Sequence, residues 1–324
     1  MSLDVHPIVD ELTQARHSSG SMNAATMTFV LFFDNPATAE WVSQRTRKVA
    51  DKHPSRVVLF DATKPPGDQH AEPSTTRGEW VEVGVNGSSP DEVSAALSML
   101  ALPEAPIVLL WVAEHLASDE RFLALGKMAH TVVVNTALSS VDATAMRDLI
   151  AFVEAHPEIW VQDLAYIRLA AWQELIAEFF DDAAHLSELL TLREVDVAAG
   201  SDSEMYYLLG WMASRLGWRP SKGGVFTDAM DQPVHFTVAR EGAARRVARV
   251  TLKSATATYT AEVHPADQGA VCLSAENGDE RVERCAPLHT MDIASMIERA
   301  ILTGRRDEVF TQSLAMAKAI LERP

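Results

Sequence analysis

The sequence predicts an α/β fold, with a doubly wound, mostly parallel sheet in the N-terminal part and a C-terminal α+β region. Three features of the chain support this prediction. Continuous apolar runs such as Met27–Phe33 alternate with helical stretches, as parallel strands do when helices cover both faces of their sheet. Short alternating runs separated by turns follow residue 233 and favour an antiparallel meander. Two segments with helical spacing, 290–302 and 306–321, close the chain.

The N-terminal part has the strand–helix–strand order of a βαβ domain. Its predicted strands are 27–33, 56–60, 80–85, 105–112 and 131–135. Its predicted helices are 7–17, 36–52, 90–100, 120–129 and 139–155. The segment 63–77 contains three prolines and mostly polar residues, so we expect it to be a loop.

The middle of the chain is dominated by the segment 160–175, which mixes large aromatic residues with charged ones. A helix is predicted from Val161 to Asp182, because apolar residues recur at helical spacing over an arc wider than a surface helix needs. Arg168 lies within that arc and requires a partner, and Trp172 one turn later could stack on its guanidinium. Two interpretations follow: a central core helix with a paired arginine, or a helix that presents its aromatic and charged residues to a partner.

A second informative helix follows, capped by Ser201 or Ser203. Opposite its core stripe, Tyr207, Trp211 and Arg215 recur at a spacing of four. Such a row resembles the anchor residues of an interface, although another element of the same chain could cover it instead. The two helices supply the candidate partner-binding residues, which are Trp160, Asp163, Tyr166, Arg168, Trp172, Tyr207, Trp211 and Arg215.

The length of 324 residues exceeds what a single core usually reaches, so two domains are expected. We predict an α/β domain over 1–160 and a central helical segment over 161–220 that joins the two halves. The antiparallel strands and the C-terminal helices then occupy 221–324.

Composition excludes several classes of partner. A net charge of −17 with a pI near 5.0 argues against nucleic acid and anionic membranes. The N-terminus has neither the basic nor the apolar region of a secretion signal, and no apolar run is long enough to span a membrane. Two cysteines are too few for a disulfide scaffold. We therefore expect a soluble cytoplasmic protein.

The two cysteines, Cys272 and Cys285, lie on either side of Asn277–Gly278. If these two residues form a two-residue hairpin turn, the cysteines become diagonal neighbours with Cα atoms about 7 Å apart or more, at the limit for a disulfide. The sequence therefore predicts two free thiols.

Motifs for catalysis and cofactor binding are missing from the sequence. Neither the first nor the second strand is followed by a glycine-rich phosphate loop. The sequence contains no nucleophile elbow of the hydrolase type and no pair of histidines with metal-ligand spacing. We accordingly assign no catalytic, cofactor-binding or metal-binding residue and expect no cofactor. The cationic residues Arg245, Arg246 and Arg249 could receive an anionic group, or they could belong to a solvated edge strand.

Four stretches of the chain resemble the OpcA proteins, also called glucose-6-phosphate dehydrogenase assembly proteins. They are the strand entry His53–Leu59, the strand Ala105–Trp111, the segment Asp163–Leu175, which is similar to a D-L-x-W-x-R-L-x-x-W-R-x-L signature, and the segment Leu208–Trp218, which is similar to L-x-G-W-x-A-S-R-L-G-W. The first strand, Met27–Phe33, also matches in its place and order. The resemblance covers most of residues 5–220, and the C-terminal third matches only in layout. Tyr166 replaces the usual tryptophan, Gln173 replaces the usual arginine, and the cysteine common ahead of the third strand is absent near Trp80.

The resemblance implies a protein that is not an enzyme but a partner of glucose-6-phosphate dehydrogenase. Such proteins promote the assembly or the allosteric activation of the dehydrogenase at the entry to the oxidative pentose phosphate pathway. One alternative is a sugar-phosphate-binding or other small-molecule protein or enzyme that uses the carboxyl ends of the parallel strands. Another is a structural homo-oligomer.

Overall fold

A computed structural model describes residues 3–19, 25–73, 78–221, 224–241, 246–302 and 307–323. By packing, the chain divides into two compact units. Unit 1 comprises Met1–Leu164 and Asp292–Arg305, and unit 2 comprises Ala165–Met291 and Arg306–Pro324. The domain boundaries expected near residues 160 and 220 stay predictions, because packing alone does not show which parts fold independently.

Unit 1 is built on a seven-stranded sheet in the order β3-β4-β2-β1-β5-β6-β7. Its strands are β1 (Met27–Phe33), β2 (Ser55–Asp61), β3 (Gln69–Pro73), β4 (Gly78–Gly84), β5 (Ile107–Trp111), β6 (Thr131–Val134) and β7 (Trp160–Asp163). All neighbouring pairs are parallel except β3 and β4, which are antiparallel. The predicted doubly wound, mostly parallel sheet is confirmed, and β3 is an extra strand within the segment that we expected to be a loop.

The helices of unit 1 are α1 (His6–Ser19), α2 (Pro36–Lys52), α3 (Pro90–Leu100), α4 (Glu120–Gly126), α5 (Asp142–Ala155) and α10 (Ile293–Leu302). Helix α3 begins as its sequence dictates. Ser89 and Glu92 form a reciprocal capping box, and Pro90 occupies the first turn, where no backbone N–H is needed. Helix α10 packs against α2.

The core of unit 1 explains why its strands are continuously apolar. Phe32 of β1 stacks on Trp111 of β5 with ring centroids 4.0 Å apart, and Phe122 of α4 meets Trp111 edge-on at 5.2 Å. The charged pair Arg56 and Glu79 is also buried, with 2.6 Å between Nε and Oε2. Since helices cover the sheet, even the charged residues of β2 and β4 have to find partners inside.

Unit 2 contains an eight-stranded sheet in the order β15-β14-β13-β12-β8-β11-β10-β9. Its strands are β8 (Glu194–Ala199), β9 (Arg219–Pro220), β10 (Phe226–Thr227), β11 (Pro233–Arg240), β12 (Val247–Lys253), β13 (Ala257–His264), β14 (Asp267–Asn277) and β15 (Glu280–Pro287). Strands β12 to β15 form the predicted antiparallel meander. Strand β8 lies in the middle of the sheet, parallel to β11 and antiparallel to β12.

The helices of unit 2 are α6 (Leu164–Ile167, whose first residue belongs to unit 1), α7 (Ala170–Ala177), α8 (Ala183–Leu189), α9 (Asp202–Leu216) and α11 (Glu308–Leu321). Ser201 caps α9 by accepting the N–H of Glu204, and Gly217 ends it with a left-handed φ of +68°. Helix α9 packs closely on α11: a Cβ added to Gly210 would lie 2.2 Å from the carbonyl oxygen of Ser313. No helix among the described residues has the length and apolar character needed to cross a membrane.

The continuous helix predicted from Val161 to Asp182 is wrong. The segment begins as strand β7, which pairs in parallel with β6, continues as α6 and α7, and ends in a 3-10 turn at Glu178–Phe180. The apolar residues of 164–180 do lie at helical spacing. The four residues before them, however, complete the edge of the parallel sheet, and this pairing outweighs the local helical pattern.

The hairpin between β14 and β15 corrects the prediction of two free thiols. Asn277 pairs with Glu280, so the turn begins at Gly278, one position later than expected. Gly278 has a φ of +59°, which two-residue hairpin turns favour at their first central position. The one-residue shift brings Cys272 directly opposite Cys285, with Cα atoms 3.9 Å apart, and a disulfide joins them.

Candidate functional site

The first candidate site lies at the carboxyl ends of β1 and β5, where the strand order of unit 1 reverses and open α/β sheets bind their ligands. The side chain of Asn35 accepts the N–H of Ala37 at 2.9 Å. Its carbonyl oxygen accepts the N–H groups of Thr38 and Ala39 at 3.0 and 3.2 Å, and Pro36 has no N–H. The first turn of α2 lies wholly within the described residues, and each of its N–H groups already has an acceptor. It therefore differs from helix N-termini that offer free N–H groups to a phosphate.

Acidic groups border the same crevice. Asp34 follows β1 directly, and desolvation raises the pKa of its carboxyl, offset in part by the backbone N–H of Glu114. Carboxylates at this position repel the pyrophosphate that a dinucleotide would place here. Within the described ranges, no group of three or more His, Cys, Asp and Glu residues is arranged to hold a metal ion.

One small pocket, of about 10 Å³, lies at the ends of β5 and β6. Ile293 and Ile297 of α10 line it together with Trp41 of α2 and with Asn135, the residue after β6. Such a volume holds about one water molecule. Side chains of α10 thus occupy the edge of the sheet that a small-molecule site would require.

Of the predicted partner-binding residues, Trp160 and Asp163 belong to unit 1. Trp160 opens β7 opposite Thr131 and is 39% exposed. Asp163 ends the same strand and is fully buried. Its carboxylate accepts the hydroxyl of Thr136 at 2.6 Å and the backbone N–H of Thr136 at 3.2 Å. Asp163 therefore holds the turn that follows β6.

Arg168 lies between α6 and α7 in unit 2, and its partner is Glu204 rather than Trp172. Its Nη1 is 2.6 Å from the Glu204 carboxylate, and the other carboxylate oxygen accepts the backbone N–H of Val247 at 3.1 Å. Burial raises the pKa of Glu204, and the charge and hydrogen bond of Arg168 offset part of this effect. Trp172 is buried.

Sequence reasoning missed the role of Glu204. The Ser201-x-x-Glu204 spacing matches a helix-capping pattern, which by itself indicates only a local role for the glutamate at the helix start. The signal that could have identified it is the buried Arg168, because a guanidinium inside an apolar arc requires a carboxylate from elsewhere in the chain.

The residues Tyr207, Trp211 and Arg215 differ in how far the rest of unit 2 covers them. Tyr207 is completely buried between Tyr166 and Phe310 of α11, with ring centroids 5.5 and 5.9 Å away. For Tyr207 the second interpretation of the row therefore holds, in which another element of the same chain covers it, because α11 packs on this part of α9.

The remaining members of the row are more accessible. Trp211 is half-buried and Arg215 is exposed. The guanidinium of Arg215 donates to the side chains of Gln312 and Ser214. Tyr166 is buried, its hydroxyl lies 3.5 Å from that of Ser313, and burial raises its pKa. Among the predicted partner-binding residues of unit 2, Arg215 is thus exposed and Trp211 is partly accessible.

Residues 159–314 match a family model described as the C-terminal domain of a glucose-6-phosphate dehydrogenase subunit. The OpcA protein of Synechococcus elongatus is 30% identical over 151 residues, which are 45% of this chain and 31% of the relative. The OpcA protein of Synechocystis is 26% identical over 269 residues, which are 75% of this chain and 56% of the relative. The chain thus spans between about a third and just over half of the length of these relatives.

Solved structures with a similar fold are oxidoreductases. A levoglucosan dehydrogenase has a TM-score of 0.53 and 10% identity, with 92% of this chain and 96% of that chain covered. An aldose-aldose oxidoreductase from Caulobacter crescentus has a TM-score of 0.50 and 11% identity, with 91% and 95% covered. At such identity the similarity concerns the fold alone.

Proposed function

The chain belongs to the OpcA family, and from this premise we propose that it is a non-catalytic partner of glucose-6-phosphate dehydrogenase. In this proposal it promotes the assembly or the allosteric activation of the dehydrogenase. The family model is described by that enzyme's name, which supports the choice of partner. The proposal keeps the cytoplasmic location that the composition favours, with neither nucleic acid nor membrane as a partner.

The main support for a non-catalytic role is the hydrogen bonding of the first turn of α2. In an oxidoreductase of this fold class the helix after the first strand would bind the cofactor phosphates with free N–H groups. Here Asn35 accepts the backbone N–H groups of this turn, and Pro36 has no N–H to donate. An oxidoreductase-like scaffold with this turn capped, and with about 10 Å³ of space at the neighbouring strand ends, is better suited to binding a protein than to hydride transfer.

For the contact with the dehydrogenase we propose Trp160, Trp211 and Arg215. They are the predicted residues that keep access to solvent in their units, and tryptophan and arginine are the residue types that most often anchor interfaces. Of the other predicted residues, Arg168 is only 12% exposed, and we assign it to the framework of its own unit together with the buried residues Asp163, Tyr166, Trp172 and Tyr207.

Activation requires that the chain bind the active form of the dehydrogenase more tightly than the inactive form. A tenfold preference corresponds to about 1.4 kcal/mol of coupling. One aromatic anchor that contacts only the active form would supply such a difference, since single interface anchors often contribute about 2 kcal/mol or more.

The test is a reconstitution with purified glucose-6-phosphate dehydrogenase from the same organism. We expect the chain to raise the dehydrogenase activity and to co-elute with the enzyme in size-exclusion chromatography. Trp160→Ala and Trp211→Ala should each weaken association at least tenfold, roughly. Leu190→Ala, at a leucine that is 75% exposed, is the matched control and should behave as the wild type does.

Unchanged activity and separate elution of the two proteins would overturn the proposal. The alternative of an α/β enzyme is tested with the chain alone: saturable binding of NADH or NADPH in a fluorescence titration would favour it. Self-association, the other alternative, is measured in the same chromatography runs without dehydrogenase.

A further inference from the structure

Unit 2 contains a cavity of about 550 Å³ that the proposed function does not use. Arg168, Leu169, Trp172 and Glu204 line it from the helices, and residues at the ends of β12, β13 and β14 line it from the sheet. Its volume falls within the range of small-molecule sites, roughly 300–1,000 Å³.

Two arginines at this cavity have hydrogen-bond donors to spare. Arg168 uses one of its five N–H donors on Glu204. Its other guanidinium nitrogens are not among the buried atoms that lack a hydrogen bond, and the residue lines the cavity. These nitrogens are therefore accessible from the cavity. Arg246 is exposed and makes no ion pair with another residue that the structure describes. Both arginines line the same cavity as Glu204, and the charge of each lowers the pKa of that carboxyl.

The acidic residues of the cavity are already engaged. Both oxygens of Glu204 accept hydrogen bonds. Glu241 and Glu262 both pair with Arg249, at 3.1 and 3.6 Å. Among the charged residues that line the cavity, Arg246 is therefore the one without an ion pair to another described residue.

The other walls offer two further kinds of contact. Trp172 and Leu169 supply an apolar side. Gln268 and Thr290 also line the cavity and carry neutral groups that can both donate and accept hydrogen bonds. An arginine can bind an anionic group, and an aromatic ring can pack against a carbon skeleton. Amide and hydroxyl groups can form hydrogen bonds with the hydroxyls of a ligand. This combination suits a polar metabolite.

We propose that this cavity binds a hydroxylated organic anion of about the size of a sugar phosphate. Its phosphate or carboxylate pairs with Arg168 and Arg246, its carbon skeleton lies against Trp172, and its hydroxyls face Gln268 and Thr290. The Arg168–Glu204 pair holds the guanidinium in place before the ligand arrives, which reduces the entropic cost of binding. This site goes beyond the role as a dehydrogenase partner and does not depend on it.

The test is isothermal titration calorimetry of the full chain without dehydrogenase. The probes are glucose 6-phosphate, gluconate and uncharged glucose. We expect at least one of the two anions to bind with a Kd below about 1 mM, and glucose to bind at least tenfold more weakly. Stronger binding of glucose 6-phosphate identifies a phosphate site, and stronger binding of gluconate identifies a carboxylate site.

Arg246→Gln should weaken binding of the preferred anion about tenfold or more, because a hydrogen bond to a charged group is lost. Arg246 is exposed and outside any described ion pair, so the variant should fold normally. Arg219→Gln, at an exposed arginine of the same unit, is the control and should bind as the wild type does. Three results would each overturn the proposal. The first is no heat of binding with either anion at 10 mM, roughly ten times the expected Kd. The others are binding of glucose as tight as that of the anions, and an Arg246→Gln variant that binds as the wild type does.

Discussion

The guanidinium of Arg168 lies 2.6 Å from the carboxylate of Glu204, and the two side chains are only 12% and 2% exposed. The second oxygen of Glu204 accepts the backbone N–H of Val247 at 3.1 Å. One carboxylate therefore joins the segment after α6, the start of α9 and the start of β12. The arginine of the signature segment is thus part of the framework of unit 2.

Arg168→Met should destabilise the protein strongly. The substitution removes the partner of a buried carboxylate, which typically costs about 3–5 kcal/mol. Urea denaturation followed by circular dichroism measures the loss. Arg215→Met removes an exposed arginine of the same unit and should change the free energy of unfolding by no more than about 0.5 kcal/mol. Equal effects of the two variants would contradict a buried, coupled pair, as would an Arg168→Met/Glu204→Gln double variant that is as unstable as the sum of the single changes.

Gly210→Ala should weaken the packing of α9 on α11. A Cβ at this position would lie 2.2 Å from the carbonyl oxygen of Ser313 and 2.8 Å from the backbone nitrogen of Ala317. Backbone atoms of a packed helix cannot retreat singly, so we expect a loss of about 1–3 kcal/mol despite the better helix propensity of alanine. Ser214→Ala on the same helix is the control. Thermal unfolding measures both, and a Gly210→Ala protein as stable as the control would show that the helices can separate at no cost.

The periodicity of the sequence was sufficient to predict five of the seven strands in the sheet of unit 1 and the meander of unit 2. Strands such as β1 and β2 are buried on both faces, so their apolar runs are long and unambiguous. The helix at Pro90 was equally clear, because its capping box is local chemistry.

The features that the sequence predicted wrongly or left open depend on the pairing of residues with other parts of the chain. Nothing within residues 160–163 indicates that β6 will pair with them. The sequence left open whether another element covers Tyr207, and the structure shows that Phe310 of α11, near the end of the chain, packs against it. The cysteine pairing failed by a single residue of register, and in a hairpin such a shift changes every cross-strand neighbour.

Glu298→Gln should lower stability at neutral pH but not in acid. Hydrogen bonds from Lys52, at 2.6 Å, and from His53, at 3.1 Å, hold the pKa of Glu298 below its ordinary value of 4.5. The unfolded chain therefore takes up this proton more readily than the folded one. The stability that Glu298 contributes is present above pH 4.5 and is lost as the pH falls through the lower pKa of the folded state.

The measurement is the difference in Tm between the wild type and Glu298→Gln across the pH range from about 3 to 8. We expect the Tm of Glu298→Gln to lie below that of the wild type at neutral pH, and the two Tm values to converge in acid. Glu174→Gln on α7, at an exposed carboxylate that makes no ion pair with another described residue, should leave Tm unchanged throughout. A gap for Glu298→Gln that is constant with pH would show that Lys52 and His53 do not hold the charged form.

The disulfide between Cys272 and Cys285 should be detectable by counting thiols. Alkylation of the denatured, unreduced protein should label no cysteine, and prior reduction should expose both. A Cys272→Ser/Cys285→Ser variant should lose about 2–4 kcal/mol, because the crosslink no longer restricts the unfolded chain. Cys272→Ser alone should lose a similar amount, since either change removes the same bond. Two labelled thiols without reductant would contradict the disulfide and support the free thiols that the sequence predicts.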